Sequence, residues 1–537
     1  MASVGDQLPL LLNTAGSTTP SLNGTGTTSI ISTLTSWENV RYLTSQSLTL
    51  ILFSAFLAYD ITRRVRRWHR LKHIPGPWIA GWTNLWYTYQ NYLGKSPDAV
   101  KRAFERYGSV IRIGPNEVMT TDVDTLHHIS GVKSGWRKDR WYIIGKMGDA
   151  SSILVLLEPE ERKERKKKIA PAYAGKGTDS FEEGVDRGMS LLIDSLEERY
   201  ASKKIAVNLG RHIHYMALDT LGEVAYSQDL GFLKNNKDMG DFLKINDQMI
   251  PIIATLSNYT SLFLMLNKWP LNLLLPRAGD QSGLGAVMGF TAGLIDDRLK
   301  PGAKPKRDIL QSFINNGLNR AEVLVEVTLQ FFAGTDTTAS VVTLCLLYLV
   351  TNPTAYRKLQ SELDAASLST PILSDAEARS LPYLQACIRE TLRLTPPLSS
   401  GAFYKEVPPA GDTLCGVFVP GGVRVGTNAS MYAVGRDGTF WGVDAEVFRP
   451  GRWIEADDGL RAAMQTRVDL VFGHGQFVCM GKAIALMEVG KAVAEVMRRY
   501  DLSIVSPIDG GPEIISAVAW MIRGLQVMVE KREGVEL

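Results

Sequence analysis

Cysteine is scarce in this sequence and shows no paired spacing. The four residues, Cys345, Cys387, Cys415 and Cys479, are scattered over 537 positions, so a disulfide framework is not expected in so long a chain. Excess charge is lacking too, because the net value of +3 at neutral pH argues against a nucleic-acid partner held by bulk electrostatics. Glycine-, serine- or proline-rich linkers and internal repeats are absent after residue 80. One large unit is therefore predicted, although the length alone would suggest about three domains.

The amino-terminal segments differ in composition from the rest of the chain. Residues 1–42 are rich in Ser, Thr, Gly and Asn, which predicts disorder. The apolar run 43–59 is at the short end of what spans a bilayer, and 60–80 is a basic, proline-rich hinge leading to the body, 81–537. Because the charges follow the apolar run, a lumenal amino terminus, with the Asn23 glycosylation sequon, and a cytosolic body are predicted. A cleaved secretory signal, the alternative, would carry its charges before the apolar run.

A glycine-punctuated loop around Cys479 is the most informative stretch. It stands directly before an apolar-periodic segment, 482–500, that predicts a helix. A thiolate there would receive loop N–H groups and the positive end of the helix dipole. A single thiolate on one side of a metal centre is the arrangement used for haem iron when oxygen must be cleaved. A buried structural cysteine at a helix start is the alternative.

A second run, Ala333-Gly334-Thr335-Asp336-Thr337-Thr338, interrupts a long apolar segment, 321–350, that contains no proline. The composition predicts a continuous helix through the core. Threonines in such a helix can bond back to a carbonyl one turn earlier. A buried carboxylate has no such local partner, so Asp336 and its neighbour Thr337 are candidate functional residues.

A third element pairs a carboxylate with two guanidinium groups. Glu390 and Arg393 share a face of the helix predicted at 381–394, and Arg452 supplies a second cation before the cysteine loop. Planar Arg side chains bind carboxylates bidentately, so the three residues predict a clamp. Short strands are predicted at 110–113 and 118–120, and a terminal hairpin at 517–529.

These elements, in this order, resemble the cytochrome P450 family from about Pro75 to the carboxyl terminus. The resemblance implies a mainly α fold with a minor β region, and haem b with Cys479 as the iron ligand. It implies that Asp336 and Thr337 relay protons, and that the Glu390 clamp is a structural triad. The same resemblance places further residues around the haem: Phe472, Gly473, Gly475, Gly481, Ala333 and Gly334.

One departure concerns the haem propionates. Phe477 stands where the family usually has a cation, two residues before the cysteine, as in fungal members resembling the pisatin demethylase group. Lys405 is then expected at one propionate. The family's Trp-x-x-x-Arg helix fits Trp136–Arg140 by spacing, but the following Pro-Ala-Tyr favours a second placement. That placement puts Arg162 at the Trp position and makes Lys166 or Arg165 the propionate partner.

The resemblance also implies an activity and a location. The expectation is a monomeric haem-thiolate monooxygenase of the endoplasmic reticulum membrane that acts on an apolar small molecule, a fungal terpenoid or polyketide. NADPH electrons would arrive through a separate reductase, since no nucleotide-binding glycine loop follows a strand. A haem-thiolate isomerase, desaturase or peroxygenase, or a non-catalytic haem-binding membrane protein, are the alternatives.

Overall fold

The computed structural model describes residues 37–148, 150–277, 279–280, 283–505 and 511–533. The Asn23 sequon and most of the segment predicted to be disordered lie outside the described residues. Residues 37–42 of that segment are helical instead, because no glycine or proline interrupts the chain between Trp37 and Pro75. The chain divides into two compact units, Met1–Arg66 and Arg67–Leu537.

Helices dominate the described chain. In order they are α1 Trp37–Arg70, α2 Leu85–Tyr92, α3 Ser96–Tyr107, α4 Val123–Ser130, α5 Pro159–Tyr173, α6 Phe181–Leu196, α7 Leu209–Leu221, α8 Phe232–Asn235, α9 Phe242–Leu256, α10 Thr260–Leu266, α11 Gly283–Leu299, α12 Ile309–Asn315, α13 Arg320–Thr351, α14 Pro353–Ala365, α15 Asp375–Ser380, α16 Pro382–Leu394, α17 Met431–Val434, α18 Gly438–Trp441, α19 Gly451–Glu455, α20 Asp458–Asp469 and α21 Lys482–Arg499.

The strands are short and form small sheets. They are β1 Val110–Gly114, β2 Glu117–Thr120, β3 Arg137–Lys138, β4 Val207–Asn208, β5 Lys405–Glu406, β6 Asp412–Leu414, β7 Val417–Val419, β8 Arg424–Gly426, β9 Tyr500–Ile504, β10 Glu513–Ala517, β11 Ala519–Arg523 and β12 Gln526–Lys531. The largest sheet has the order β1-β2-β8-β5-β3, and a second has the order β4-β12-β9. In the first sheet β2 and β8 run parallel, with Val118 opposite Val425. The mainly α fold with a minor β region is confirmed.

The terminal hairpin differs from its prediction. β10 and β11 form the hairpin, with Ala517 opposite Ala519 and the turn at Val518, whereas β12 pairs with β9 and β4. Gly524, with a φ of 71°, lies between β11 and β12, a conformation that favours glycine and redirects the chain. The apolar alternation continues across this break, so the pattern alone did not separate the two sheets.

Helix α13 is the central element of the second unit. It starts with a capping box in which Asn319 and Glu322 satisfy each other's backbone N–H groups. It ends at Thr351, and the following Asn352 precedes Pro353, where a helix tends to end. The predicted continuous core helix is therefore confirmed.

Helix α13 is also long and apolar enough to cross a membrane, but its most apolar window is 67% buried within the protein. A bent pair, Met239–Leu256 and Thr260–Leu266, meets the same standard only if both helices are taken together, across a bend of 117°. The predicted anchor, 43–59, is helical within α1, yet α1 is not among these candidates. The anchor is thus not confirmed.

A buried carboxylate joins helix α16 to the segment before the Cys479 loop. Glu390 accepts two hydrogen bonds from Arg393, at 2.7 and 2.9 Å, and one from the Arg452 Nε at 3.0 Å. The Trp453 indole N–H and the Arg449 backbone N–H bond to the same carboxylate. Arg393 also donates to the Ala445 carbonyl at 2.6 Å. The sequence predicted the three charged members, and the structure adds Trp453.

Replacing Glu390 by alanine would leave the buried Arg393 without a carboxylate partner. It would also remove one of the two carboxylates of Arg452, which keeps Asp444 at 3.2 Å. We expect the free energy of unfolding to fall by roughly 3–5 kcal/mol, as measured by denaturant titration. Glu455→Ala is the control, because it removes an exposed carboxylate paired with Arg449 and should change stability little. Equal losses in the two variants would contradict a stabilising clamp.

Candidate active site

The Cys479 loop is built by two glycines that a larger residue could not replace. Gly473 has a φ of 74°, and a Cβ there would lie 2.5 Å from the Phe477 carbonyl oxygen. Gly475 has a φ of 55° and passes directly against the Ser130 carbonyl at the end of α4. Both are left-handed conformations that favour glycine. The loop closes where the Cys479 N–H donates to the Phe472 carbonyl at 2.7 Å, so the thiol stands just before α21.

The surroundings of the Cys479 thiol act on its charge in opposite directions. Although the residue is exposed to solvent, the protein packed around the sulfur desolvates it and raises its pKa. Hydrogen bonds from the Gly481 and Lys482 N–H groups lower the pKa, and desolvation has the larger effect. The expected helix-terminus donors are therefore present, but they do not outweigh desolvation. The charged form would be stabilised by a cation held against the sulfur, as a coordinated metal provides. Among the described residues, no group of three or more His, Cys, Asp or Glu side chains is arranged to hold a metal ion.

The middle of α13 has an uncovered side. Ala333 and Gly334 are exposed although the residues on either side of them along the helix are largely buried. Cys479 is exposed as well, and α13 packs against α21, the helix that follows the cysteine loop. Small residues on the helix and glycines in the loop leave room for a flat group to approach both backbones.

Thr337 and Asp336 behave differently on this helix. The Thr337 hydroxyl donates to the Ala333 carbonyl at 2.9 Å, and Thr335 donates to the Phe331 carbonyl at 2.5 Å. Both threonines thus bond back one turn, as the sequence allowed. Asp336 is buried and accepts a hydrogen bond from the Asn246 side chain at 2.6 Å. Burial raises the pKa of its carboxyl, so this group can carry a proton nearer to neutral pH than an ordinary aspartate.

Three cations form a cluster around Phe477 and Tyr142: Arg162 and Lys405 are buried, and Lys138 is half-buried. Lys405 lies 4.2 Å and Arg162 4.6 Å from the centroid of the Phe477 ring. Lys405 donates to the Tyr142 hydroxyl at 2.6 Å, and Lys138 lies 4.8 Å from the Tyr142 ring. In the described part of the chain, none of the three cations forms an ion pair with a carboxylate.

Electrostatics makes this cation cluster a site for anions. Burial, and then repulsion from Lys138 and Arg162, holds the pKa of Lys405 well below its usual range. Burial and repulsion from Arg162 lower the pKa of Lys138 to about 7. Desolvated like charges are costly unless an anion is bound among them. The cluster therefore has the charge to bind a ligand that carries carboxylates.

Two of the expected propionate partners have other surroundings. Arg165 donates to Glu322 and to Glu326, each at 2.7 Å, and to the Ser151 carbonyl. Its guanidinium therefore belongs to an ion-pair network with the first turns of α13, which corrects the expectation for this residue. Lys166 is half-buried and without an ion pair among the described residues.

Sequence reasoning missed two members of the cation cluster and two neighbours of Asp336. Lys138 stands between Arg137 and Asp139 in a charged and aromatic segment, and nothing in the local pattern distinguishes it from its neighbours. Arg162 was placed at the family's Trp position, and its bond to Gln476 was not foreseen. Asn246 and His214 reach Asp336 from other helices, and no sequence pattern marks them.

Comparison with known proteins agrees with this geometry. The family model described as Cytochrome P450 matches residues 74–525. Cytochrome P450 monooxygenase ABA1 of Pyricularia oryzae is 36% identical over 474 residues, which cover 83% of this chain and 90% of that protein. Cytochrome P450 monooxygenase aba1 of Botryotinia fuckeliana is 33% identical over 478 residues, covering 87% and 93%. A third relative, Cytochrome P450 monooxygenase mfmA of Annulohypoxylon moriforme, is 29% identical over 487 residues, covering 87% and 93%.

The family model matches most of the chain. Two of these relatives are more than 30% identical to it over most of their own length. Membership brings with it a haem cofactor, a small-molecule substrate and electrons delivered by a reductase. The chain belongs to the cytochrome P450 family and is a monooxygenase.

Proposed function

We propose that Cys479 is the iron ligand of a haem b held between α13 and the Cys479 loop, and that the protein oxidises an apolar secondary metabolite of a fungus. The cation cluster of Lys138, Arg162 and Lys405 carries the proposal. Arg162 and Lys405 lie beside Phe477, two residues before Cys479, and Lys138 lies beside Tyr142. The repulsion of Lys405 by the other two cations favours the binding of an anion among them.

The haem, when bound, supplies the oxidising chemistry on molecular oxygen. The protein supplies the thiolate at Cys479, with Phe472, Gly473, Gly475 and Gly481 shaping the loop. Ala333 has a small side chain and Gly334 has none, so this side of α13 leaves space for the haem ring and the substrate.

Protons are the second contribution of the chain. Asp336 holds a proton on a buried carboxyl whose pKa is raised by burial, and Thr337 presents its hydroxyl beside the exposed Ala333–Gly334 stretch. A hydroxyl that already donates to its own helix is fixed in orientation, so it can accept from one side and order a water on the other.

This acid favours cleavage of an O–O bond over isomerisation. An isomerase rearranges a substrate that already carries its oxygen atoms, and that reaction needs no proton delivered from a buried carboxylic acid. A non-catalytic haem protein likewise gives Asp336 no purpose, although burying a carboxylate is costly.

Cys479→Ser tests the ligand. In the reduced protein, carbon monoxide should give the strongly red-shifted Soret band of thiolate ligation, and the serine variant should lose that band because its hydroxyl is a poor ligand. Cys415→Ser, at the other exposed cysteine, is the matched control and should keep it. Retention of the band in the Cys479 variant would remove this residue from the site.

Arg162→Ala tests the cation cluster. Losing one charged hydrogen-bond partner of a carboxylate costs about 1.5–3 kcal/mol, so haem should leave the variant roughly tenfold faster or more, measured as hemin transfer to apomyoglobin. Lys163→Ala is the control on the same helix, because Lys163 is exposed and pairs only with the equally exposed Glu160 at 3.6 Å. Equal release rates in the two variants would refute the assignment.

We further propose that α1 anchors the protein in the endoplasmic reticulum membrane with the catalytic unit in the cytosol. In the first unit, Phe53 and Phe56 are 62% and 66% exposed among other large apolar residues, and water is a poor environment for so long an apolar stretch. In the second unit, Trp269 and Leu274 are 80% and 75% exposed, which suits contact with the lipid surface.

Placing two carboxylates in the anchor tests this location. The double variant Phe53→Asp, Phe56→Asp should shift the protein from the carbonate-resistant membrane fraction to the soluble fraction, since each charge in the bilayer costs about 3 kcal/mol. Val443→Asp, at a fully exposed apolar residue of the catalytic unit, should leave the distribution unchanged. A double variant that stays in the pellet would mean that α1 is not the anchor.

A further inference from the structure

Polar groups from two other helices reach the Asp336 carboxylate. Asn246 of α9 donates to Oδ2 at 2.6 Å. On the other oxygen, the His214 Nε2 of α7 lies 3.9 Å from Oδ1. Neither Oδ1 of Asp336 nor Oδ1 of Asn246 has a hydrogen-bond partner among the described residues, although both atoms are buried. Asp336 Oδ1 is therefore a buried, unpartnered oxygen with the His214 Nε2 as a neighbour at 3.9 Å.

The tautomer of His214 follows from its second contact. Its Nδ1 lies 2.9 Å from the Gly210 carbonyl oxygen. A carbonyl oxygen only accepts, so Nδ1 carries a hydrogen in every charge state. Nε2 is then the nitrogen that gains and loses a proton, and it is the one that faces Asp336.

The far side of His214 leads towards solvent. Its side chain is 15% exposed, against 12% for Asp336. Asp247, next to Asn246 on α9, is exposed, and Arg523 of β11 donates to its carbonyl at 3.4 Å. Arg211, less than one turn before His214, is also exposed. We call Asp247, Arg523 and Arg211 the charged rim. Through these groups, protons from solvent water can reach the His214 imidazole.

We propose that His214 is the residue through which Asp336 is reloaded with protons from solvent. The Nε2–H bond of the imidazolium breaks as the Oδ1–H bond of Asp336 forms, either directly or through one water that Asn246 Oδ1 also binds. Neutral His214 then regains a proton at Nε2 from the charged rim. This inference rests on the proposed proton relay, because His214 acts only through Asp336 and does not itself contact the substrate or the haem.

The charges around the carboxyl agree with this arrangement. Burial raises the pKa of Asp336, His214 and the Asn246 hydrogen bond lower it, and Asp247 raises it. For Asp247 burial is again the largest influence, opposed by Arg523, His214 and Arg211. A positive charge at His214 thus favours the ionised carboxylate, which is the form ready to take up a proton.

His214→Gln tests the inference by removing the titrating nitrogen while keeping a polar side chain. The assay uses 7-ethoxycoumarin as the probe substrate, with electrons from NADPH supplied through a reductase. In the variant, the hydrogen peroxide released per NADPH should rise, and the formation of water and product should fall roughly tenfold. This loss is smaller than is usual for removal of a general acid, because water can replace the imidazole in part. The peroxide-to-water ratio reports proton delivery even where the probe is not oxidised. His128→Gln, an identical change at an exposed histidine paired with Asp412, should leave the ratio unchanged.

A second readout does not depend on turnover. The infrared C=O stretch of the protonated Asp336 carboxyl, identified by its loss in Asp336→Asn, should persist to higher pH in His214→Gln. The sign follows from the loss of a nearby cation, which raises the pKa of the carboxyl. A histidine with a purely structural role would leave this titration where it is. His214→Asn, which is shorter and also neutral, replaces the glutamine variant if that one does not fold.

The outcomes separate the inference from the relay it rests on. Normal coupling in His214→Gln with uncoupling in Asp336→Ala would overturn the role of His214 and leave the relay intact. Normal coupling in Asp336→Ala would overturn the relay itself. Uncoupling in both, with the infrared shift in the histidine variant and an unchanged carbon monoxide band, is the expected result.

Discussion

The candidate site depends on helix α13, which is buried in the core over most of its length but exposed on one side at its centre. Helix α13 packs against α7, α11, α16 and α21, and these contacts hold it in the core. The same helix leaves Ala333 and Gly334 exposed at its centre. Because protein interiors are normally close-packed, such an opening persists only where the surrounding elements are rigid. The Glu390 clamp and the capped start of α13 supply that rigidity from two different places.

The two sides of the site have opposite electrostatic character. Near Phe477 the protein concentrates buried cations that lack carboxylate partners, whereas near Asp336 it buries a carboxylate with a hydrogen-bond donor and an imidazole. A metal ligated by one thiolate and carrying two carboxylates at its ring edge balances the first side.

Local patterns in the sequence predicted the parts of the site that are themselves local. The Cys479 loop needs glycines at specific turns, and the run around Asp336 is anomalous within its own helix, so each is visible without knowing the fold. The helices at 321–350, 381–394 and 482–500 were likewise predicted within a residue or so of their observed ends. The sequence also indicated the pairing of Glu390 with Arg393, since they lie three positions apart on one helix. Arg452, as a second cation before the cysteine loop, completed the predicted clamp.

Long-range pairings were beyond the sequence. Arg165 was expected at a propionate, but its partners Glu322 and Glu326 lie far along the chain, and a helix pattern does not reveal which carboxylates will face it. Lys138 and His214 each stand near other polar residues, and no periodic signal distinguishes them. Residues 37–42 were assigned from composition, which does not show where a helix begins. The last hairpin was assigned from the alternation of apolar residues, which does not show which strands pair.

The contact between Arg162 and Phe477 has a consequence for how this chain diverged. By resemblance to the family, position 162 usually holds an aromatic residue and position 477 a cation, so the two residue types have exchanged places across one contact of 4.6 Å. Either exchange alone would leave two guanidinium-type charges pressed together or two rings with no charge between them. The contact thus keeps one cation against one ring, with the charge carried by α5 and the ring by the Cys479 loop.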